Sequence, residues 1–333
     1  MNTDTSVIPT VTHIFIKHFV EVCQCYDKPV FVFNSSKGIL VANKGNEPIS
    51  SYLQVMNYMR GLYSPREFYA PQVAVFFEAC IDMAWPYPIF PDPNVILSEG
   101  DLLGEHFNAL VVKIREITST TQYKEKMRKM LLNLERQRQS AFLLVDSLFE
   151  THSRLLVLRV DLFYRGFTAE RSVSSDLKRF LRRVDDDPRF HSLLGYIAKL
   201  EFGETRGLHA HLMVFLDGSK SRKGGHLAQQ LINLWMEVIG DGAHGYNCNA
   251  KADSYSESGI NMVDHWDTTK RGHLLTALRY FFKNDQQVLV KSKEKDRTLF
   301  MSRVKRIQGV RPGRPRMRSA MPRASIHENK ACP

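Results

Sequence analysis

The chain has 333 residues, of which 43% are hydrophobic and 24% are charged, and this composition is typical of a folded globular protein. The sequence contains no run of about 20 apolar residues and no signal-peptide pattern at its start, so it predicts a protein of the cytosol. The five cysteines are odd in number and irregularly spaced, which argues against a disulfide framework.

The net charge of +11 is unevenly distributed along the chain. From Arg303 to the C-terminus there are nine Lys or Arg residues and one acid, so this segment carries +8 of the total. Glycine and proline interleave with arginine there and apolar residues are scarce, so we expect residues 304–333 to form a disordered basic tail. A basic tail on a nearly balanced body indicates a polyanionic partner, most commonly nucleic acid.

The first half of the chain gives a mixed, mainly helical pattern. Residues 28–33 and 38–42 flank the turn-forming run Asn34-Ser35-Ser36-Lys37 and predict a hairpin. Four prolines between residues 84 and 95 exclude a helix there. Apolar residues then recur at three- or four-residue steps from about Thr121 to Glu150, which predicts a long amphipathic helix. We therefore expect an N-terminal domain over residues 1–120, of a role that the sequence does not indicate, and a connecting helix over 121–152.

The second half, residues 153–303, alternates strand and helix. A mostly apolar strand is predicted at 155–162, and Thr168 can cap a helix that runs to about Val184. Two strands, 193–202 and 208–216, are separated by a short glycine-bearing turn, and helices follow at about 226–238 and 270–283. This order favours an α+β fold, an antiparallel sheet with helices on one face, similar to the split βαβ plan.

Two histidines separated by one residue stand in the strand after that turn. Side chains alternate between the faces of a strand, so His209 and His211 point the same way, about 6.5–7 Å apart along the chain. If the two strands pair around the turn at 203–207, Glu201 lies opposite His209 on the same face, whereas a tighter turn would bring Glu204 there. Two imidazoles and one carboxylate leave positions open on a divalent metal ion, as a catalytic site requires.

The second chemical signal lies near the end of the last predicted helix. Tyr280 and Lys283 are three residues apart and share a helix face, so the ammonium can lie near the phenol and near a phosphate that the phenol attacks. An unperturbed phenol has a pKa of about 10 and needs a nearby cation or metal ion to act as a nucleophile.

The basic tail carries a third signal. Its arginines alternate with prolines in a pattern that partly resembles an AT-hook, in which an extended segment enters the minor groove of DNA. The alternative is a generic basic tail that adds salt-sensitive affinity. The candidate DNA-binding residues are Arg311, Arg314, Arg316 and Arg318.

Together these motifs resemble a known family. Residues from about Ser153 to Arg303 resemble the inovirus-type replication proteins of the YagK/YfjJ C-terminal family, which are similar to the HUH endonucleases that initiate rolling-circle replication. Two positions depart from the family pattern, Ala210 between the histidines and Leu299 after Arg297-Thr298, and neither change removes a reactive group. The matching phrases stand in order at 154–162, 196–201, 207–219, 246–249, 280–286 and 297–300.

The resemblance implies a metal-dependent DNA nickase and strand transferase in the cytosol of a bacterial host of phages or prophages. His209 and His211, with Glu201 or Glu204, would bind Mg²⁺ or Mn²⁺, Tyr280 would form a 5′-phosphotyrosine on single-stranded origin DNA, and Lys283 would assist it. The sequence has no phosphate-binding loop for ATP, so we expect a host helicase and a host polymerase as partners, with no nucleotide cofactor and no membrane.

Two other functions remain open at this point. A non-catalytic DNA-binding regulator on the same fold would explain the basic charge, but it gives no reason for two histidines and an acid on one face. A metal-dependent hydrolase of a small molecule would use the histidines, but it leaves Tyr280, Lys283 and the tail without a role.

Overall fold

The computed structural model of the chain describes residues 13–45, 47–86, 90–97, 100–164, 173–203, 207–282, 290–291 and 297–303. In the N-terminal part the predicted hairpin is confirmed, and no helix or strand occupies the described residues between 84 and 95. The elements of this part are α1 (His13–Cys25), β1 (Phe31–Asn34), β2 (Ile39–Ala42), α2 (Glu47–Ser50), α3 (Met56–Gly61), β3 (Phe68–Tyr69), α4 (Pro71–Asp82) and α5 (Leu103–Ser119).

The N-terminal elements enclose an aromatic core. Phe19 of α1, Phe76 of α4 and Phe107 of α5 are fully buried, and the Phe19 ring centroid lies 6.0 Å from that of Phe76 and 5.8 Å from that of Phe107. Burial of each such side chain stabilises the fold by about 1.5–3 kcal/mol. The Asn108 side chain fixes the hairpin to α5, because its oxygen accepts hydrogen bonds from the backbone N–H groups of Val30 and Phe31 at 2.8 and 2.9 Å.

One long helix, α6 (Thr121–Thr151), follows and has 31 residues, so the predicted long helix is confirmed. Its first turn is capped by the Thr120 hydroxyl oxygen, which accepts a hydrogen bond from the Tyr123 N–H at 3.2 Å. Tyr123 belongs to the N-terminal core. The C-terminal half belongs to a second core through Leu144, Leu148 and other apolar residues. The same helix is thus packed into both cores.

The second part is built on a six-stranded antiparallel sheet, as predicted. Its strand order is β10-β5-β6-β4-β7, and β8 pairs with β4 next to β7 on the same edge. A short pair, β3 with β9, ties this part to the N-terminal elements. The elements are β4 (Arg154–Tyr164), α7 (Val173–Asp186), β5 (Leu193–Gly203), β6 (Gly207–Asp217), α8 (Gly224–Ile239), β7 (Ala243–Asn247), β8 (Asn261–Asp264), α9 (Thr268–Arg279), β9 (Val290–Lys291) and β10 (Leu299–Met301).

The α+β class is confirmed, but helices cover both faces of the sheet rather than one. Helices α7 and α8 pack against the face that carries Leu156, Leu158 and Val160. The C-terminal half of α6 and helix α9 pack against the opposite face, which carries Leu155 and Val157. The physical reason is visible in β4, where consecutive residues are apolar and buried, because a strand covered on both sides needs apolar side chains on both.

The last helix ends earlier than predicted. Helix α9 stops at Arg279, and Tyr280–Phe282 form a 3-10 turn, a common tightening of a helix C-terminus. This turn buries Phe281 and Phe282 and leaves Tyr280 48% exposed. Thr168, the predicted cap of α7, lies outside the described residues. Within the described ranges, no helix combines the length and the apolar content needed to cross a membrane.

Candidate metal centre

The three central strands of the sheet bring four polar side chains to one face. Glu201 of β5 lies opposite His209 of β6, in the register that the turn predicted. On the other side of β6, Asp161 of β4 lies opposite His211. Because cross-strand partners in an antiparallel pair share a face, these side chains converge in the middle of the sheet on the face covered by α6 and α9.

Glu201, His209 and His211 form a group that could hold a metal ion. Each offers one ligand atom, and these atoms all lie within 4.8 Å of one another. The two imidazole rings are perpendicular, with centroids 4.8 Å apart. All three side chains are buried, and Glu201 is only 1% exposed. Glu204, the alternative third ligand, lies outside the described residues.

The Glu201 carboxylate provides a test of whether a cation fits this group. Neither of its oxygens accepts a hydrogen bond of normal geometry from any described residue. Its only close cationic neighbour there is His211, whose Nε2 lies 3.0 Å from Oε2. Contact with one imidazole leaves Oε1 without a donor among the described residues, and a bound cation would offset the cost of burying this carboxylate. Two imidazole nitrogens and one carboxylate oxygen are donors that Mn²⁺ and Zn²⁺ accept, so the residues fit a divalent metal.

Asp161 contacts the ring nitrogen of His211 that faces away from Glu201. Its Oδ1 lies 2.5 Å from Nδ1 of His211, so the carboxylate can accept the Nδ1 proton and leave Nε2 facing Glu201. Metal-binding histidines usually have such a partner, which fixes the tautomer and the ring orientation. Sequence reasoning did not select Asp161 as a site residue. The sequence feature that could have identified Asp161 is that it is a single acid in the apolar run of β4. An unpaired carboxylate would be costly in such a buried strand.

The two carboxylates also change the protonation of this imidazole. Burial lowers the pKa of His211, but contact with Asp161 and Glu201 outweighs burial and raises that pKa to about 9. Burial likewise acts to raise the pKa of Asp161, but the hydrogen bond with His211 and the nearby positive charges, including that of Arg159, together outweigh burial, so that pKa falls below its usual value. The metal-free centre therefore keeps a proton on His211 at neutral pH, and a metal ion must displace it.

The 3-10 turn after α9 contacts this centre through Phe281, the residue that follows Tyr280. The Phe281 ring packs on His211, with ring centroids 5.5 Å apart. Tyr280 precedes Phe281 and lines a cavity of about 440 Å³ together with Arg159. Lys283 and the four arginines of the predicted DNA-binding tail lie outside the described residues.

A buried lysine on the same face was also missed by sequence reasoning. Lys199 lies opposite His211 on β5 and is 5% exposed. Its ammonium donates hydrogen bonds to Gln137 of α6 at 2.7 Å and to the Thr298 hydroxyl at 3.2 Å. These contacts tie α6 and the strand before β10 to the sheet, so Lys199 supports the site from one side.

The chain matched no protein-family model, no curated protein and no solved structure. The fold and the site define an α+β protein with an antiparallel sheet and a buried Glu-His-His group on its central strands.

Proposed function

We propose that the protein is a metal-dependent DNA nickase and strand transferase that initiates rolling-circle replication. The observation that carries this proposal is the convergence of Glu201, His209 and His211 next to a turn that carries an exposed tyrosine. A set of metal-binding residues alone would be compatible with many hydrolases. An exposed phenol beside that group is what a phosphotyrosine intermediate requires.

In this function Tyr280 is the nucleophile. A bound Mg²⁺ or Mn²⁺ ion supplies positive charge that polarises the scissile phosphate and offsets the charge on its oxygens. The Tyr280 oxygen forms a bond to phosphorus and loses its proton to solvent, while the bond from phosphorus to the 3′ oxygen breaks and that oxygen takes up a proton. The free 3′-OH primes synthesis, and the 5′ end stays on Tyr280 as a phosphotyrosine. Attack by a 3′-OH reverses these steps and rejoins a strand without an external energy source.

The other residues of the centre have supporting roles. Asp161 keeps the His211 proton on Nδ1, so that Nε2 can face the metal. Phe281 covers the outer side of the His211 ring and limits the access of water. We expect Lys283 to lie near the phenol and favour its ionised form.

The proposed substrate is single-stranded origin DNA. The net charge of +11, most of it in the tail, supports a polyanionic partner. Arg311, Arg314, Arg316 and Arg318 are the proposed tail contacts. Host helicase and host polymerase would complete replication, because the sequence has no phosphate-binding loop for ATP.

Covalent capture tests this proposal. The protein is incubated with labelled single-stranded fragments that tile both strands of its own replicon, with Mn²⁺ or with EDTA, and resolved on a denaturing protein gel. We expect a metal-dependent shifted band that disappears in Tyr280→Phe. Tyr58→Phe, a change at another exposed tyrosine that lies in α3, is the matched control and should keep the band.

A second tyrosine control addresses the choice of nucleophile. Tyr255 lines the same cavity as Tyr280, and burial and nearby groups raise the pKa of Tyr255 to about 12, which disfavours its phenolate. Tyr255→Phe should therefore still form the covalent band. Salt-sensitive DNA binding without any covalent band would contradict the nickase and favour the non-catalytic DNA-binding regulator.

A further inference from the structure

The cavity beside the candidate metal centre has a mixed polar and aromatic wall. It measures about 440 Å³, within the range of small-molecule sites. Strand β4, the segment 254–260 and helix α9 enclose it. Its wall includes Arg159, Tyr255, Glu257 and Tyr280.

Arg159 acts electrostatically on Asp161 of the same strand, but it forms no close ion pair with a carboxylate in the described part of the chain. Its Nε is buried and donates no hydrogen bond to a described residue. Other arginines of the sheet region do pair with carboxylates, as Arg154 does with Asp264 at 2.9 Å and Arg189 with Asp187 at 2.6 Å. A guanidinium presents a rigid fork of donors that matches phosphate, so a phosphate in the cavity would satisfy the buried Nε–H.

The position of Arg159 is fixed from two sides. Its backbone N–H donates to the Asn249 side-chain oxygen at 2.7 Å, and its guanidinium carbon lies 5.5 Å from the centre of the Phe281 ring. The same ring also packs on His211, with ring centroids 5.5 Å apart. Phe281 thus lies against both the guanidinium of the cavity and a ligand of the candidate metal centre.

The remaining wall suits a nucleobase. Tyr255 is 42% exposed, so its ring offers a face for stacking, and bases of any sequence stack on tyrosine. Glu257 is the one acid among the lining residues, and its side chain is exposed to solvent. Solvent screens that exposed charge more than it screens the partly buried Arg159, so the inner part of the cavity favours an anion.

We propose that this cavity is the subsite for one nucleotide next to the scissile phosphate, with Arg159 binding its phosphate and Tyr255 stacking on its base. The inference rests on the proposed function, because it takes single-stranded DNA as the ligand. It adds a positioning role for Arg159, since a phosphate held there would place the neighbouring phosphate between Tyr280 and the metal ligands.

Photo-crosslinking in EDTA tests the subsite without requiring any cleavage. The full chain is mixed with a single-stranded oligonucleotide that contains 4-thiothymidine, irradiated and digested, and the crosslinked peptides are mapped by mass spectrometry. We expect a crosslink on the peptide that contains Tyr255, separate from any crosslink to the basic tail. Arg159→Gln should reduce the Tyr255 crosslink at least about tenfold, the loss typical of a hydrogen bond to a charged group.

Two further variants guard against a folding defect. Arg182→Gln, at an exposed arginine of α7 on the opposite face of the sheet, is the matched control and should leave the crosslink unchanged. Tyr255 is exposed, so its replacement should not unfold the chain. Tyr255→Ala should weaken DNA binding and Tyr255→Phe should retain it, because phenylalanine still stacks.

The outcomes separate the subsite from the nickase. A crosslink at Tyr255 that depends on Arg159 supports the subsite even if no covalent capture is found in the Mn²⁺ assay. Covalent capture on Tyr280 together with crosslinks confined to the tail, or a Tyr255 crosslink that Arg159→Gln leaves unchanged, would overturn the subsite and leave the nickase standing.

Discussion

Asp161 and His211 lie opposite each other on β4 and β6, and the Asp161 Oδ1 is 2.5 Å from the His211 Nδ1. Their contact joins the candidate metal centre to a strand about 50 residues earlier in the chain. The metal ligand and its support are therefore held by the sheet itself, since strand pairing fixes both backbones.

Asp161→Asn should weaken metal binding. A neutral amide oxygen stabilises the His211 tautomer that leaves Nε2 for the metal less than a carboxylate does, and loss of such a partner typically costs about 10- to 100-fold in metal affinity. Titration calorimetry with Mn²⁺ measures the change. Asp186→Asn, at an exposed acid of α7, is the matched control. Equal affinities for the wild type and Asp161→Asn would contradict the role of Asp161.

Metal should stabilise the fold through Glu201. A ligand that binds only the folded state raises the free energy of unfolding by about 2.7 kcal/mol at 100 times its dissociation constant. We expect Mn²⁺ to raise the melting temperature of the wild type and to leave Glu201→Gln and His209→Gln unchanged. His226→Gln, at an exposed histidine of α8, should behave like the wild type. An equal rise in Glu201→Gln would exclude Glu201 as a ligand.

The metal-free protein should lose stability as the pH rises from about 6.5 to 9. The pKa of His211 is raised to about 9 in the folded state, against an ordinary value of 6.5. The stabilisation from this ionic contact is therefore fully present below pH 6.5 and is lost as the pH rises through about 9. This loss lowers the free energy of unfolding by at most about 3 kcal/mol. Thermal melts in EDTA measure it, and His211→Gln should remove this part of the slope. An unchanged slope in that variant would assign the pH dependence to other groups.

The basic tail should control the salt dependence of DNA binding. Neutralised phosphates release counterions, and for single strands each contact changes the slope of log K against log salt by about 0.7. Replacing Arg311, Arg314, Arg316 and Arg318 by glutamine should reduce the slope by up to about 3. Fluorescence anisotropy over a salt series measures it, and an unaltered slope would show that the body of the protein binds the DNA.

The part of the site that follows from local sequence was predictable. Only three residues of sequence separate β5 from β6, so the length of this connection sets the register that puts Glu201 opposite His209. Asp161 reaches His211 through the pairing of β4 with β6, which are separated by α7 and β5. No turn fixes that register, so it depends on how the whole sheet assembles.

The same distinction applies to the fold. Strands β4, β5 and β6 and helix α8 were predicted within a few residues, because apolar periodicity is local. The layer of helices on the second face of the sheet was not predicted. Its members, α6 and α9, come from opposite ends of this region and meet only on the assembled sheet. The end of α9 was also missed, since the 3-10 turn at 280–282 is stabilised by the burial of Phe281 and Phe282 against distant residues.

The most direct test of the proposed nickase is to identify the residue that becomes bonded to DNA. The covalent complex formed with Mn²⁺ is digested with nuclease and protease, and the modified peptide is sequenced by tandem mass spectrometry. We expect a nucleotide joined through its 5′ phosphate to Tyr280. A nucleotide on any other residue, or a 3′ phosphate linkage to Tyr280, would contradict it.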